Sequence, residues 1–173
     1  MQIHASDNPM DSLTAAYDEY SDAIFRHCYF RVFNRELAKE LVQETFMRTW
    51  EYISQGNNVD NVRAFLYRVA NNLIVDAVRK KKETSLEAMQ EEGFDPGIDE
   101  TEHMQNMVDG RSVIATLSKL DKTYRDILVM RYVDGLTPSD IAEMIGESPN
   151  TVSVRIHRGL KQLKALVKNG SAA

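Results

Sequence analysis

Residues 137–164 read TPSDIAEMIGESPNTVSVRIHRGLKQLK, and this stretch decides the fold of the C-terminal part of the chain. Thr137-Pro138 and Ser148-Pro149 each set a hydroxyl before a proline. A hydroxyl N-cap accepts a hydrogen bond from an otherwise orphaned backbone N–H, and proline at the first helical position has no N–H to satisfy. The pattern predicts two helices, Pro138 to Ile145 and Pro149 to about Val167. Ile141, Ala142 and Ile145 face inward on the first, and Gly146 supplies a left-handed C-cap. Ala142 is small where the two helices cross. Gly146 lies four residues later and Val152 six after that. This is the spacing of a helix-turn-helix, which places its second helix in the major groove of DNA.

On the second helix Val152, Ile156, Leu160, Leu163 and Val167 form one apolar stripe at about 100° per residue. The opposite face carries Asn150, Thr151, Val154, Arg158 and Lys161, flanked by Arg155 and His157. Arginine can fork onto guanine, asparagine can pair with adenine, and an outward valine can touch a thymine methyl. Val154 has no purpose on an ordinary solvated face, so base contact is expected there.

The chain has 173 residues, enough for one domain or two small ones. No run is long and apolar enough to span a membrane, no signal peptide is visible, and direct membrane insertion is not expected. The single cysteine, Cys28, rules out an internal disulfide, fits a reducing cytoplasm and reads as a small core residue. The net charge of −5 looks wrong for a DNA binder until it is mapped along the chain. Residues 1–82 balance eleven acids with eleven Lys and Arg. Residues 83–109 hold nine acids and no Lys or Arg, and residues 110–173 hold six acids and ten Lys and Arg. The acidic stretch contains Gly93, Pro96 and Gly97 and reads as a linker, with some helix at its C-terminal end. It either solvates the tether or shields basic faces until a partner binds.

Residues 11–82 read as helices near 11–33, 35–54 and 61–82, with no strand signal. Ser54-Gln55-Gly56-Asn57-Asn58 is the clearest loop, and Asp60 or Asn61 would cap the helix after it. The second helix has a core stripe of Val42, Phe46, Trp50 and Ile53. Glu36, Glu40, Gln43 and Glu51, with Glu44 beside them, lie on another face, which reads as solvated acids or as a docking surface for a basic partner. The third helix buries Val62, Leu66, Val69, Leu73 and Ala77. Its other side carries Asn61, Arg68, Asn72 and Arg79 and ends in Arg79-Lys80-Lys81-Lys82. Cations at a helix C-terminus favour the macrodipole, but an Asn/Arg face beside a polar loop also suits nucleic acid. Tyr67 and Phe65 could supply stacking, although Phe65 could equally pack in the core.

These segments together resemble the bacterial RNA polymerase sigma factors of the extracytoplasmic-function (group IV) class. Residues 40–50, ELVQETFMRTW, resemble the family's conserved-region-two motif. Residues 64–79, AFLYRVANNLIVDAVR, resemble its promoter-melting and minus-ten-reading helix. Residues 117–164, including YRDILVMRYVDGLTPSDIAEMIGESPNTVSVRIHRG, resemble region four. The resemblance implies an all-α chain of two small helical domains joined by a flexible acidic linker. Residues 1–82 would be the region-two domain, 83–109 the linker and 110–173 the region-four helix-turn-helix domain.

The resemblance also implies roles. Glu40, Gln43 and Glu44 would meet the beta-prime clamp helices of core RNA polymerase. The loop Ser54 to Asn61, with Gln55, Asn57, Asn58 and Asn61, would hold a flipped non-template base. Asn72 matches a position that touches minus-ten DNA, and Arg68, Asp76 and Arg79 lie on or beside its face; Asp76 could instead pair with Lys80. Asn150, Thr151, Val154, Arg155, His157, Arg158 and Lys161 would read the minus-thirty-five duplex. Residues from Leu117 to Tyr132 would rest on the beta flap. An anti-sigma protein would supply control. The chain departs from the family at Asp121, where proline is frequent, at Ser153, where relatives often carry a basic residue, and at Phe65, where tryptophan is frequent.

Two other function classes fit less well. A helix-turn-helix regulator that does not load onto polymerase would leave the N-terminal motifs without a purpose. Glu36, Glu40 and Glu44 invite a carboxylate-metal bundle, but no histidine has the Glu-x-x-His spacing such a bundle needs. His27 beside Cys28 has no second ligand pair at metal spacing, and His4 and His103 fall outside the expected helices. No phosphate-binding glycine loop or nucleophile elbow appears. The sequence therefore predicts no enzyme, no cofactor and no metal.

Overall fold

Helix α1 (Pro9–Val32) starts where the Asn8 side chain accepts a hydrogen bond from the Met10 N–H, with Pro9 in the first turn. The computed structural model describes residues 1–4, 8–88 and 114–170, with backbone alone at 81–88 and 168–170. Helix α1 ends at Phe33, held in the left-handed region at φ 50 with its N–H bonded to the Tyr29 carbonyl. Asn34 then caps helix α2 (Arg35–Ser54) by accepting from the Leu37 N–H. A connection this short turns α1 and α2 into a helical hairpin. Helix α3 (Val62–Ala88) packs against both.

The chain divides into two units, Met1–Asp99 and Glu100–Ala173. The first unit buries Ala16, Ile24 and Cys28 of α1, Leu41, Val42, Phe46 and Ile53 of α2, and Val62, Leu66, Ala70, Leu73 and Ile74 of α3. Polar groups stitch the same core. The Arg31 guanidinium donates to Asn71 Oδ1 at 2.7 Å and meets His27 Nε2 at 3.2 Å, with all three residues buried. The His27 ring stands edge-on to Tyr67 at 5.0 Å. Thr45 and Thr49 turn their hydroxyls onto the Leu41 and Thr45 carbonyls, so the α2 backbone satisfies them inside the core.

The second unit opens with α4, of which residues 114–118 are described. Asp121 caps α5 (Lys122–Leu128) through the Thr123 N–H. This explains the departure from proline there: an aspartate cap starts the helix by another route. A π-helical turn, Val129–Val133, widens the end of α5. Helix α6 (Pro138–Ile145) has a full capping box between Thr137 and Asp140 and ends at Gly146 with φ 70. Helix α7 (Pro149–Gly170) begins with Ser148 Oγ accepting from the Thr151 N–H at 3.1 Å. Ala142 and Val152 are buried at the crossing. Gly159 marks a second close approach: a Cβ there would lie 3.2 Å from Tyr124 Cβ and 3.3 Å from Leu128 Cγ.

Several sequence expectations are corrected. Helix α3 runs to Ala88, past the expected end at 82, because no glycine or proline interrupts residues 83–88. The Arg79-to-Lys82 run therefore lies inside a helix, and the macrodipole does not explain it. Tyr67 is only 2% exposed, on a core stripe that Ala70 and Ile74 make wider than expected, so it offers no stacking surface. Val167 faces outward at 51% exposure, and the apolar stripe of α7 passes to half-buried Leu166. Against the expectation of no extended pairing, Ile3 and Val59 form an isolated antiparallel bridge. Residues 89–113, most of the expected acidic linker, lie outside the described residues, as does His103.

Replacing Asn71 with Ala removes the 2.7 Å acceptor from a buried guanidinium. The expected loss is about 2–3 kcal/mol of unfolding free energy, as for a hydrogen bond to a buried charge. Urea denaturation checks it; a change below about 0.5 kcal/mol would show that the cluster carries no such weight.

Candidate nucleic-acid interface

Helix α7 is fixed in phase by its Ser148 cap and by Val152 beneath α6, and that phase decides which side chains face out. Asn150, Val154, His157, Arg158 and Lys161 are exposed, with Val154 at 42%. Thr151 is half-buried, with its hydroxyl 2.8 Å from Ser148 Oγ. Ser153 turns its hydroxyl back to the Pro149 carbonyl at 2.9 Å. Arg155 does not simply project: its guanidinium meets Glu147 Oε1 at 2.9 Å. Glu147, in the turn between the helices, is a site residue the sequence reading missed. The pair spans eight positions, beyond any local helical spacing, so only the turn geometry brings it together.

In the first unit the polar residues gather around the α2–α3 loop and one side of α3. Gln55, Asn58, Asn61, Arg68, Asn72 and Arg79 are exposed, and Asn57 is half-buried. Two asparagines also hold the loop in shape. Asn57 Nδ2 donates to the Tyr52 carbonyl at 2.9 Å, and Asn61 Oδ1 accepts from the Ala64 N–H at 3.0 Å. This settles the cap of α3 on Asn61 and leaves the opposite end of each amide pointing away from those bonds. Arg68, Asn72 and Arg79 share a face, being four and eleven positions apart on one helix. Asp76 Oδ1 pairs with Arg79 at 3.2 Å. Phe65 is half-buried against Tyr52, ring centres 4.9 Å apart.

A third surface lies on α2. Glu40 and Gln43 are exposed, and half-buried Glu44 pairs with Arg48 at 2.7 Å. Glu36 pairs with Lys39 at the same distance, so the face is less purely acidic than the sequence suggested. Met47, 58% exposed, was not singled out, yet it completes the i, i+3, i+4, i+7 series that starts at Glu40. A flexible, polarisable thioether in that position suits an adaptable contact. Beside Gln43 a groove of about 310 Å³ opens between α1 and α2, lined also by Tyr17, Asp22, Phe25 and Lys39. Among the described residues no three His, Cys, Asp or Glu side chains are grouped to hold a metal ion, and no helix is long and apolar enough to cross a membrane.

Comparison with known proteins fits both units. Residues 16–84 match the model of Sigma-70 region 2, and residues 110–163 match the model of Sigma-70, region 4. The chain belongs to the sigma-70 family. It is 29% identical over 175 residues to the ECF RNA polymerase sigma factor SigW of Bacillus subtilis, covering 92% of this chain and 90% of that protein. Its fold is similar to that of the sigma factor RpoE, solved with the anti-sigma factor NepR from Bartonella quintana, at a TM-score of 0.76, 18% identity, and coverage of 91% and 97%. A second likeness in fold is to CnrH, solved with the cytosolic domain of CnrY, at a TM-score of 0.69, 22% identity, and coverage of 95% and 92%.

The Glu147–Arg155 pair is half-exposed, and pairs of that kind are worth about 0–1 kcal/mol. Glu147→Gln is therefore expected to leave thermal stability nearly unchanged while the Arg155 Nη–H protons exchange faster with solvent in NMR spectra. A large drop in stability would show that the pair holds the turn together.

Proposed function

We propose that this chain docks on core RNA polymerase through α2, begins promoter melting through the α2–α3 loop and α3, and grips the minus-thirty-five duplex through α7. The observation that carries this reading is the presence of both sigma regions in one chain, each with its polar face turned outward. A regulator working by duplex binding alone has no use for the first of them.

Each surface suits its task chemically. Glu40 and Gln43, with Met47 between them and the end of α2, offer charge and an adaptable apolar contact to the basic beta-prime clamp helices. Melted DNA is recognised by capturing an extruded base, and extrusion costs a few kcal/mol of unstacking. Polymerase supplies the binding energy that a small domain lacks, so the loop bearing Gln55, Asn57, Asn58 and Asn61 has only to hold the base once it is out. Arg68, Asn72 and Arg79 then follow the strand along α3. On α7, Asn150, Thr151, Val154 and Arg158 read base edges, while His157 and Lys161 face phosphates. Glu147 restrains Arg155, so this arginine enters the groove pre-oriented. Residues Leu117 to Tyr132 provide the beta-flap contact, and Tyr132 and Val133 are exposed beside it.

The domain assignment that goes with this reading is 1–82 for docking and minus-ten work, 83–109 as linker and 110–173 for minus-thirty-five recognition. The role is that of a DNA-recognition subunit in the cytoplasm, without a catalytic step of its own. One of the similar folds was solved with an anti-sigma factor, which supports control of this chain by a partner of that class.

A pair of substitutions separates the two halves. Glu40→Lys is expected to reduce capture of core polymerase in a pull-down at least tenfold, with a circular dichroism spectrum like that of the wild type and unchanged duplex binding. Arg158→Ala is expected to keep core binding and to weaken the minus-thirty-five duplex by about 1–3 kcal/mol relative to a scrambled duplex, as for loss of one bidentate base contact. Normal core capture by Glu40→Lys, or equal affinity of Arg158→Ala for both duplexes, contradicts the corresponding assignment.

A further inference from the structure

Ile3 and Val59 form the one β-bridge among the described residues, and it ties the start of the chain to the loop between α2 and α3. The Ile3 N–H donates to the Val59 carbonyl at 2.9 Å, and the Val59 N–H donates to the Ile3 carbonyl at 2.8 Å. The Val62 N–H, an orphan donor in the first turn of α3, is satisfied by the Met1 carbonyl at 3.2 Å. Ile3 is 2% exposed and Val59 4%, so the bridge is also anchored by two buried aliphatic side chains.

The other half of the loop is held by α2. The Gln55 N–H bonds to the Glu51 carbonyl, the Gly56 N–H to the Ile53 carbonyl, and Asn57 Nδ2 to the Tyr52 carbonyl. Gly56 turns the chain at φ +81. The loop therefore has two moorings, one from the end of α2 and one from Ile3. Without the second, the Val59 N–H and C=O lose the partners of the bridge, and the Asn61 cap that joins the loop to α3 does not replace them. A loop that must order itself on binding pays for that order out of its affinity, whereas a moored loop does not.

We propose that Ile3 is a positioning residue for base capture. By pairing with Val59 it holds the Asn57–Asn61 side of the loop in the shape that accepts an extruded minus-ten base. It acts through the loop backbone and has no contact with DNA of its own. This rests on the reading of the loop as a base pocket given above.

The test uses holoenzyme assembled from core polymerase and the full chain. Open-complex formation is compared on a promoter with its normal non-template minus-ten bases and on templates carrying one abasic position at a time. The wild-type chain is expected to discriminate sharply at one position. Ile3→Asp places a charge in the buried anchor and is expected to cut that discrimination about tenfold, while core capture and minus-thirty-five duplex affinity stay within twofold of wild type. Ile3→Val keeps the apolar anchor and is expected to discriminate as wild type does. If Ile3→Asp does not fold, Ile3→Ala takes its place with the same expectation in direction. Full discrimination by a folded Ile3→Asp or Ile3→Ala chain overturns the inference while leaving the pocket reading intact. So does an equal loss of core capture, which marks Ile3 as a general stabiliser. A wild-type chain that discriminates at no position overturns the pocket reading itself, and the inference falls with it.

Discussion

The starts of α1, α2, α3, α5, α6 and α7 are each closed by a polar side chain, and the outward face of each of these helices is counted from that closure. Asn8, Asn34, Asn61, Asp121, Thr137 and Ser148 each accept a hydrogen bond from a backbone N–H of the first turn. Helices this small gain little from propensity alone. A cap fixes where the helix begins, and the rotation of about 100° per residue then fixes which side chains meet the core. Shift the Ser148 cap by one residue and Val152 leaves the crossing with α6, while Val154 and Arg158 rotate off the exposed face. Recognition chemistry here depends on phase, and phase depends on caps.

The two units solve different physical problems with the same means. In the second unit a duplex must be read from outside, so a short capped helix buttresses a long one and leaves polar residues and Val154 facing out. In the first unit the proposed task is to hold a base after it leaves the stack, which calls for a loop that is kept from collapsing. That unit holds a buried polar cluster, Arg31 with Asn71 and His27. Hydrogen bonds of fixed geometry lock α1 to α3 in one arrangement in a way that aliphatic contacts alone would not.

The two helices and the turn of the helix-turn-helix were legible because their signals are local: hydroxyl-proline pairs, Gly146 after a short apolar helix, and a stripe beginning at Val152. The α2–α3 loop and the cap at Asn61 were legible for the same reason. Long-range features were not. Nothing near Ile3 in sequence announces a partner at Val59, since a single bridge has no alternation to betray it. Glu147 and Arg155 are too far apart for a helical pair. Gly159 inside α7 carries no local signal, and its purpose appears only where α5 approaches. Tyr67 was misplaced because an amphipathic tyrosine on a helix face gives no sign of how wide the core stripe will be. Helix α3 outran its expected end because a basic run resembles a C-terminal signal even where the helix continues.

The central claim is that both units work on one polymerase at one promoter. The most direct measurement is run-off transcription by purified core polymerase on a pool of genomic promoter fragments, with and without this chain. Discrete new transcripts are expected that depend on the chain and vanish when Asn72 or Arg158 is replaced by Ala. Tight duplex binding with no new transcripts from any fragment would contradict it.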